Sequence, residues 1–161
     1  MRASDECTTD LVIDTNILVH ASNGNETYYK SSIQIIEWLR DSDISIVLDD
    51  TGKAKPDPDT SVLYSEYRRH LTPTTLGWIF VSHLMRTGRA SFVARPSQAA
   101  KKSIEKILPR NKQDRAVLGA AHGSIDKLLL TNDWDDFDQA ARKACRKDLQ
   151  VSVFDSLDAS A

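Results

Sequence analysis

Three acidic positions along this 161-residue chain stand directly behind short apolar runs: Leu11-Val12-Ile13 leads into Asp14, Ile44-Ser45-Ile46-Val47-Leu48 into Asp49 and Asp50, and Lys127-Leu128-Leu129-Leu130-Thr131-Asn132 into Asp133. Runs of this length read as buried strands. Open parallel sheets bind ligands beyond the carboxyl ends of their strands. Carboxylates gathered on one such rim repel each other unless a cation sits among them, and hard divalent ions such as Mg²⁺ or Mn²⁺ suit oxygen ligands. Two helical acids join the set. Glu66 follows Leu63 by three residues and precedes His70 by four, on or beside the inward face of its helix. Asp114 stands at i−3, i−4 and i−7 from Val117, Leu118 and Ala121, so its carboxylate falls on the buried side near a helix start. Each acid also has a plainer role: Asp114 beside Asn111 as part of a cap, Asp133 as the N-cap of the last helix with Asp136 three residues on, Asp14 as a strand end, Glu66 as a surface acid. Caps do not explain why apolar stripes lead into acids four times. Asp49 and Asp50 open a polar loop and are assigned to solvent.

The elements that must position these acids alternate in type. After the strand at 11–13, Tyr29, Ile33, Ile36 and Leu39 recur at helical spacing. A strand over 44–48 and an exposed loop over 51–60, with Pro56 and Pro58, follow. Leu63, Tyr67 and Leu71 mark a helix, and Leu76, Ile79, Phe80, His83 and Leu84 another. A short strand is expected over 91–94, then helices through Ala100–Leu108 and over 112–122, a strand over 127–131, a last long helix through Phe137, Ala141, Ala144 and Cys145, and a strand over 151–154. This alternation predicts an α/β fold with a largely parallel sheet of about five strands, covered on both faces by helices in three layers. One domain over 1–161 is expected, with its core at about 11–154.

Composition sets the outer bounds. With 40% hydrophobic residues, 27% charged residues and a net charge of −2 from 21 Lys+Arg and 23 Asp+Glu, the chain is globular. It is not a protein that coats nucleic acid by bulk positive charge. No apolar stretch approaches the ~20 residues needed to span a membrane, and the opening MRASDECTTD has no signal-peptide core. Cys7 and Cys145 make neither a disulfide framework nor a zinc site. A reduced, cytoplasmic protein is expected.

Several of these segments resemble the motifs of PIN-domain nucleases, among them the small VapC-like toxins. Leu11-Val12-Ile13-Asp14-Thr15-Asn16-Ile17-Leu18 resembles their opening strand, Ser65-Glu66-Tyr67 their second acid, Asp114-Arg115-Ala116-Val117-Leu118-Gly119-Ala120-Ala121 their third, and Leu129-Leu130-Thr131-Asn132-Asp133-Trp134-Asp135-Asp136-Phe137 their last motif, with one residue more than the commonest spacing. The second acid stands 52 residues after Asp14, later than in compact members, so Glu37 and Asp49 compete with Glu66 for that place.

The resemblance implies a metal-dependent nuclease, an endoribonuclease above all. It implies Asp14, Glu66, Asp114 and Asp133 as ligands of one or two Mg²⁺ or Mn²⁺ ions, and Asp136 as a fifth catalytic acid. Asn16 and Thr131 are expected to hold the carboxylates by hydrogen bonds. Arg68, Arg69, Arg110, Lys112 and Arg115 are the candidate RNA-phosphate contacts. His20, His70, His83 and His122 are read as structural. Trp38 and Trp78 are read as core or interface residues, and Trp134 as the tryptophan best placed for a role at the site. An antitoxin-like inhibitor and a homodimer are the expected protein partners, with no membrane. The alternatives are a silent PIN-like binding module and a haloacid-dehalogenase-like phosphatase, whose chemistry wants an Asp where this chain has Asn16.

Overall fold

Five fully parallel strands form the centre of the computed structural model, which describes residues 2–55 and 57–160. In chain order they are β1 (Asp10–Ile13), β2 (Ser45–Asp49), β3 (Ala90–Val93), β4 (Leu128–Leu130) and β5 (Ser152–Phe154). Their order across the sheet is β3-β2-β1-β4-β5. Each is a short apolar run; every residue of β1 and β4 is buried, as expected of strands covered on both faces. Leu11 pairs with Ile46 on one side of β1, and Ile13 with Leu130 on the other.

The chain builds outward from β1 to β2 and β3, then returns to the far side of β1 for β4 and β5. Right-handed crossovers therefore place helices on both faces. The direction reverses between β1 and β4, and a crevice opens beyond the strand ends at such a point. Asp14 follows β1 and Asp133 lies three residues past β4, one on each side of that crevice.

The helices are α1 (Ala3–Glu6), α2 (Thr15–Ala21), α3 (Tyr29–Arg40), α4 (Val62–His70), α5 (Leu76–Arg86), α6 (Gln98–Ile107), α7 (Lys112–Gly123), α8 (Gln139–Ala144) and α9 (Ser156–Ser160). The short helices α1, α2 and α9 are additions to the sequence reading, and a fourth helix is displaced. The expected strand over 11–13 is followed directly by α2, which starts after Asp14 and buries Ile17, Leu18 and Ala21 on one side. The helix expected through Phe137, Ala141, Ala144 and Cys145 starts only at Gln139 (α8), where the Asp138 carboxylate accepts from the N–H of Ala141; Phe137 lies in the preceding turn, fully buried. That helix continues as a π-helical turn over Cys145–Leu149 and ends on Gln150 in the left-handed region (φ 60°). The loop over 51–60 contains a 3₁₀ turn at Pro58–Thr60, while Pro56 lies outside the described residues.

Gly77 lets α5 approach α2 closely, since a Cβ there would stand 2.7 Å from the Leu18 carbonyl oxygen. Both cysteines are free and buried, and burial pushes their thiols up to about 12 (Cys7) and about 11 (Cys145). Such thiols are inert. Among the described residues no helix is long and apolar enough to cross a membrane.

Candidate metal centre

Asp14 is placed by β1 and held by its neighbours. Its N–H donates to the Leu130 carbonyl, tying the end of β1 to β4. Its Oδ2 accepts from the Thr131 hydroxyl (2.7 Å) and from the Asn16 amide (2.9 Å). Asn16 in turn accepts from the N–H of Asn132 (2.9 Å), and Thr131 Oγ1 accepts from the N–H of Asp133 (3.1 Å). The two residues expected to hold carboxylates thus bind Asp14 directly and lock the turn that carries Asp133. Burial pushes the Asp14 carboxyl up to about 6, against the lowering effect of these donors.

Asp114 lies in the first turn of α7. Asn111 caps that helix, accepting from the N–H groups of Gln113 (3.0 Å) and Asp114 (3.3 Å), and its amide reaches Asp136 Oδ2 (3.3 Å). Asp133 Oδ1 accepts from the N–H groups of Asp135 and Asp136, so the last motif is a self-capped turn; the cap of α8 is Asp138. These two devices bring Asp114, Asp133 and Asp136 together, with a carboxylate oxygen from each lying within 4.8 Å of the others. Burial, the contact with Asp136 and the charges of Asp14 and Asp133 push the Asp114 carboxyl up to about 8. Asp114 Oδ2 is buried and has no hydrogen-bond partner.

A buried carboxylate with an orphaned oxygen, clustered with two more carboxylates, needs a proton or a cation, since an unpaired buried charge costs far more than a surface one. The donors are all oxygen, which fits Mg²⁺ or Mn²⁺. Acids at the opposite end of the sheet behave differently. Asp10 accepts from the N–H groups of Ile125 and Asp126, and Asp126 from those of Thr8 and Thr9, so they act as ties in the chain.

Asp14, Asp114 and Asp133 line a cleft of about 420 Å³, whose wall on the α4 side carries Glu66, Arg69 and His70. Glu66 is half-buried and accepts from His70 Nε2 at 3.0 Å, if that nitrogen carries the proton. Its competitors stand elsewhere. Glu37 is exposed on α3. Asp49 accepts from the Ser61 hydroxyl and from the N–H groups of Val62 and Leu63, capping α4. Tyr67, fully buried, donates its hydroxyl to the Ile13 carbonyl, which pins α4 against the end of β1 and leaves Glu66 on the wall of the cleft that Asp14 also lines.

Of the five basic candidates, Arg69 lines the cleft. Arg68 is ion-paired with Asp59. Arg115 donates to the carbonyls of Leu108 and Pro109, closing the end of α6. Arg110 lies with Asp136 on an adjoining groove of about 460 Å³, and Lys112 faces a third groove. The indole of Trp134 sits under the Arg142 guanidinium (3.7 Å) and donates to Asp155, on the flank of the last motif and away from the cleft lining. His20, read as structural, lines the cleft. Its ring stacks on Tyr28, and its Nδ1 accepts from the Asn132 amide (2.9 Å). The Asn132 carbonyl oxygen accepts from the N–H of Ser156, which fixes that orientation. Nothing in the spacing of His20 announces this contact, because Asn132 is 112 residues away.

No family model and no curated protein matches the chain. Among solved structures it is similar to VapBC2 from Rickettsia felis bound to a DNA fragment from their promoter, with 13% identity and a TM-score of 0.47 over 91% of this chain and 98% of that one.

Proposed function

We propose that this protein is a PIN-like, Mg²⁺- or Mn²⁺-dependent nuclease that hydrolyses RNA phosphodiester bonds. The observation that carries the reading is the clustering of Asp114, Asp133 and Asp136 carboxylates within 4.8 Å, with Asp114 Oδ2 buried and unpartnered. Asp114, Asp133 and Asp136 are the residues that would hold the ion, with Asp14 and Glu66 on the walls of the same cleft. Such an ion supplies Lewis acidity for phosphodiester hydrolysis, activating water near neutral pH and offsetting charge on the phosphate.

The chain's own groups prepare that chemistry. Asn16 and Thr131 both donate to Oδ2 of Asp14 and so hold its carboxylate in one orientation. Asn111 does the same for Asp136 while starting the helix that carries Asp114. Arg69 stands at the cleft, where a phosphate needs a cation. A silent binding module has no use for carboxylates that destabilise it when the ion is absent. A dehalogenase-like phosphatase needs an acid where Asn16 instead donates to Asp14. The VapC-like character of the motifs makes a small inhibitor protein the partner to test.

The test is cleavage of a labelled single-stranded RNA with Mn²⁺, an EDTA control, and the variants Asp14→Asn and Asp114→Asn. Each variant should lose at least about 100-fold in rate, the scale of removing a group that acts on developing charge, with an unchanged circular-dichroism spectrum. Undiminished cleavage by either variant overturns the assignment.

A further inference from the structure

We propose that the groove between α6, the first turn of α7 and the loop over 94–97 binds the sugar–phosphate backbone of a single-stranded nucleic acid leaving the acidic cleft. The inference rests on the nuclease reading for its substrate and on separate residues for its evidence. The groove encloses about 620 Å³, and its charged lining is Arg95, Lys101, Lys112 and Arg115 against one acid, Glu105. Among the described residues, Arg95, Lys101 and Lys112 enter no ion pair. Arg115 is bound to two neutral carbonyls, so its charge is not cancelled.

Two further observations point to a polyanion rather than to an ordinary solvated surface. First, the groove adjoins the cleft. Asn111, Gln113 and Asp114 line the acidic cleft, while Lys112, Arg115 and Ala116 line the basic groove, so the two lie on different faces of the same first turns of α7. A strand whose phosphate sits among the carboxylates has only to cross the start of α7, the positive end of that helix, to reach four cations. Second, the Arg95 guanidinium is packed over Gly52, where an added Cβ would meet its Nη2 at 2.5 Å. The missing Cβ of Gly52 leaves room for this guanidinium, which is exposed and enters no ion pair among the described residues. No aromatic side chain lines the groove, so it recognises backbone charge and not base identity.

The experiment uses the Asp14→Asn chain, which leaves the probe intact, and a fluorescein-labelled 12-nucleotide oligouridylate. Anisotropy is read between 50 and 300 mM KCl. Adding Arg95→Ala with Lys101→Ala should weaken binding at least tenfold at 50 mM. It should also reduce the slope of log affinity against log salt by about 1.4, two contacts at ~0.7 each. Arg95→Lys with Lys101→Arg should restore both. Equal affinity and slope in the alanine variant overturn the proposal, as does a polyglutamate peptide that binds this groove in preference to the oligonucleotide. Cleavage by the unaltered chain is scored separately. If it cleaves RNA while the alanine variant binds normally, the groove fails and the nuclease reading stands. If binding depends on Arg95 and Lys101 in a chain that cleaves nothing, the groove stands and the nuclease reading fails.

Discussion

Burial raises the carboxyls of Asp14 to about 6 and Asp114 to about 8, whereas an unfolded aspartate titrates near ~3.9. Between those limits the folded chain keeps protons that the unfolded chain releases. The sign follows: stability without metal is greatest at the acidic end of this window and falls as pH rises through it, levelling off above about 8. Thermal unfolding in EDTA from pH 5 to 8.5 should show this decline. Asp114→Asn should flatten it and raise the midpoint at pH 8 by about 2–4 °C for each kcal/mol of relieved repulsion. A midpoint that rises with pH in the unaltered chain contradicts the assignment. His20 poses the opposite case. Burial lowers its pKa, and an Nδ1 that accepts from Asn132 leaves the ring neutral with its proton on Nε2. Nitrogen NMR should find that tautomer at pH 6.5, and Asn132→Ala should release it.

Helix α4 decides whether Glu66 reaches the cleft. Asp49, at the end of β2, caps it with three hydrogen bonds, and Tyr67 ties its middle to β1. Removing such a cap costs about 1–2 kcal/mol. Asp49→Ala should therefore lower the unfolding midpoint by ~2–8 °C and reduce cleavage by loosening the wall that carries Glu66. Glu37→Gln, on the exposed face of α3, should change neither. Equal losses from the two substitutions would refute the special position of α4. The sequence already placed Glu66 on an inward-facing helix, but it assigned Asp49 to solvent. A capping acid and a solvated acid look alike when the N–H groups it serves lie 13 and 14 residues ahead, across a polar loop.

At the scale of the molecule, the parallel sheet reverses direction between β1 and β4, and the acids collect on both sides of that reversal. A cation bound only by the folded arrangement stabilises it by mass action. Mn²⁺ at about 100 times its dissociation constant should add ~2.7 kcal/mol, a rise of roughly 5–10 °C in midpoint. Asp114→Asn should abolish the rise; its persistence would locate the ion elsewhere. The net charge of −2 also divides unevenly. Setting aside Asp14, Glu66, Asp114, Asp133 and Asp136 leaves the remaining surface net positive, with a basic groove beside an acidic cleft.

The alternation of apolar runs and helical stripes was enough to determine the α/β class, the five strands and the inward placement of Asp114, because periodicity is local and burial follows it. It could not show that Asp114, Asp133 and Asp136 meet within 4.8 Å while Arg68 is ion-paired with Asp59, away from the cleft. It missed α2, where seven residues are too few to establish a period, and it missed His20, whose partner comes from the far end of the chain. Those outcomes depend on which strand lies beside which. Only the tertiary structure decides that, since it sets strand order by the packing of whole elements and not by the residues next to any one acid.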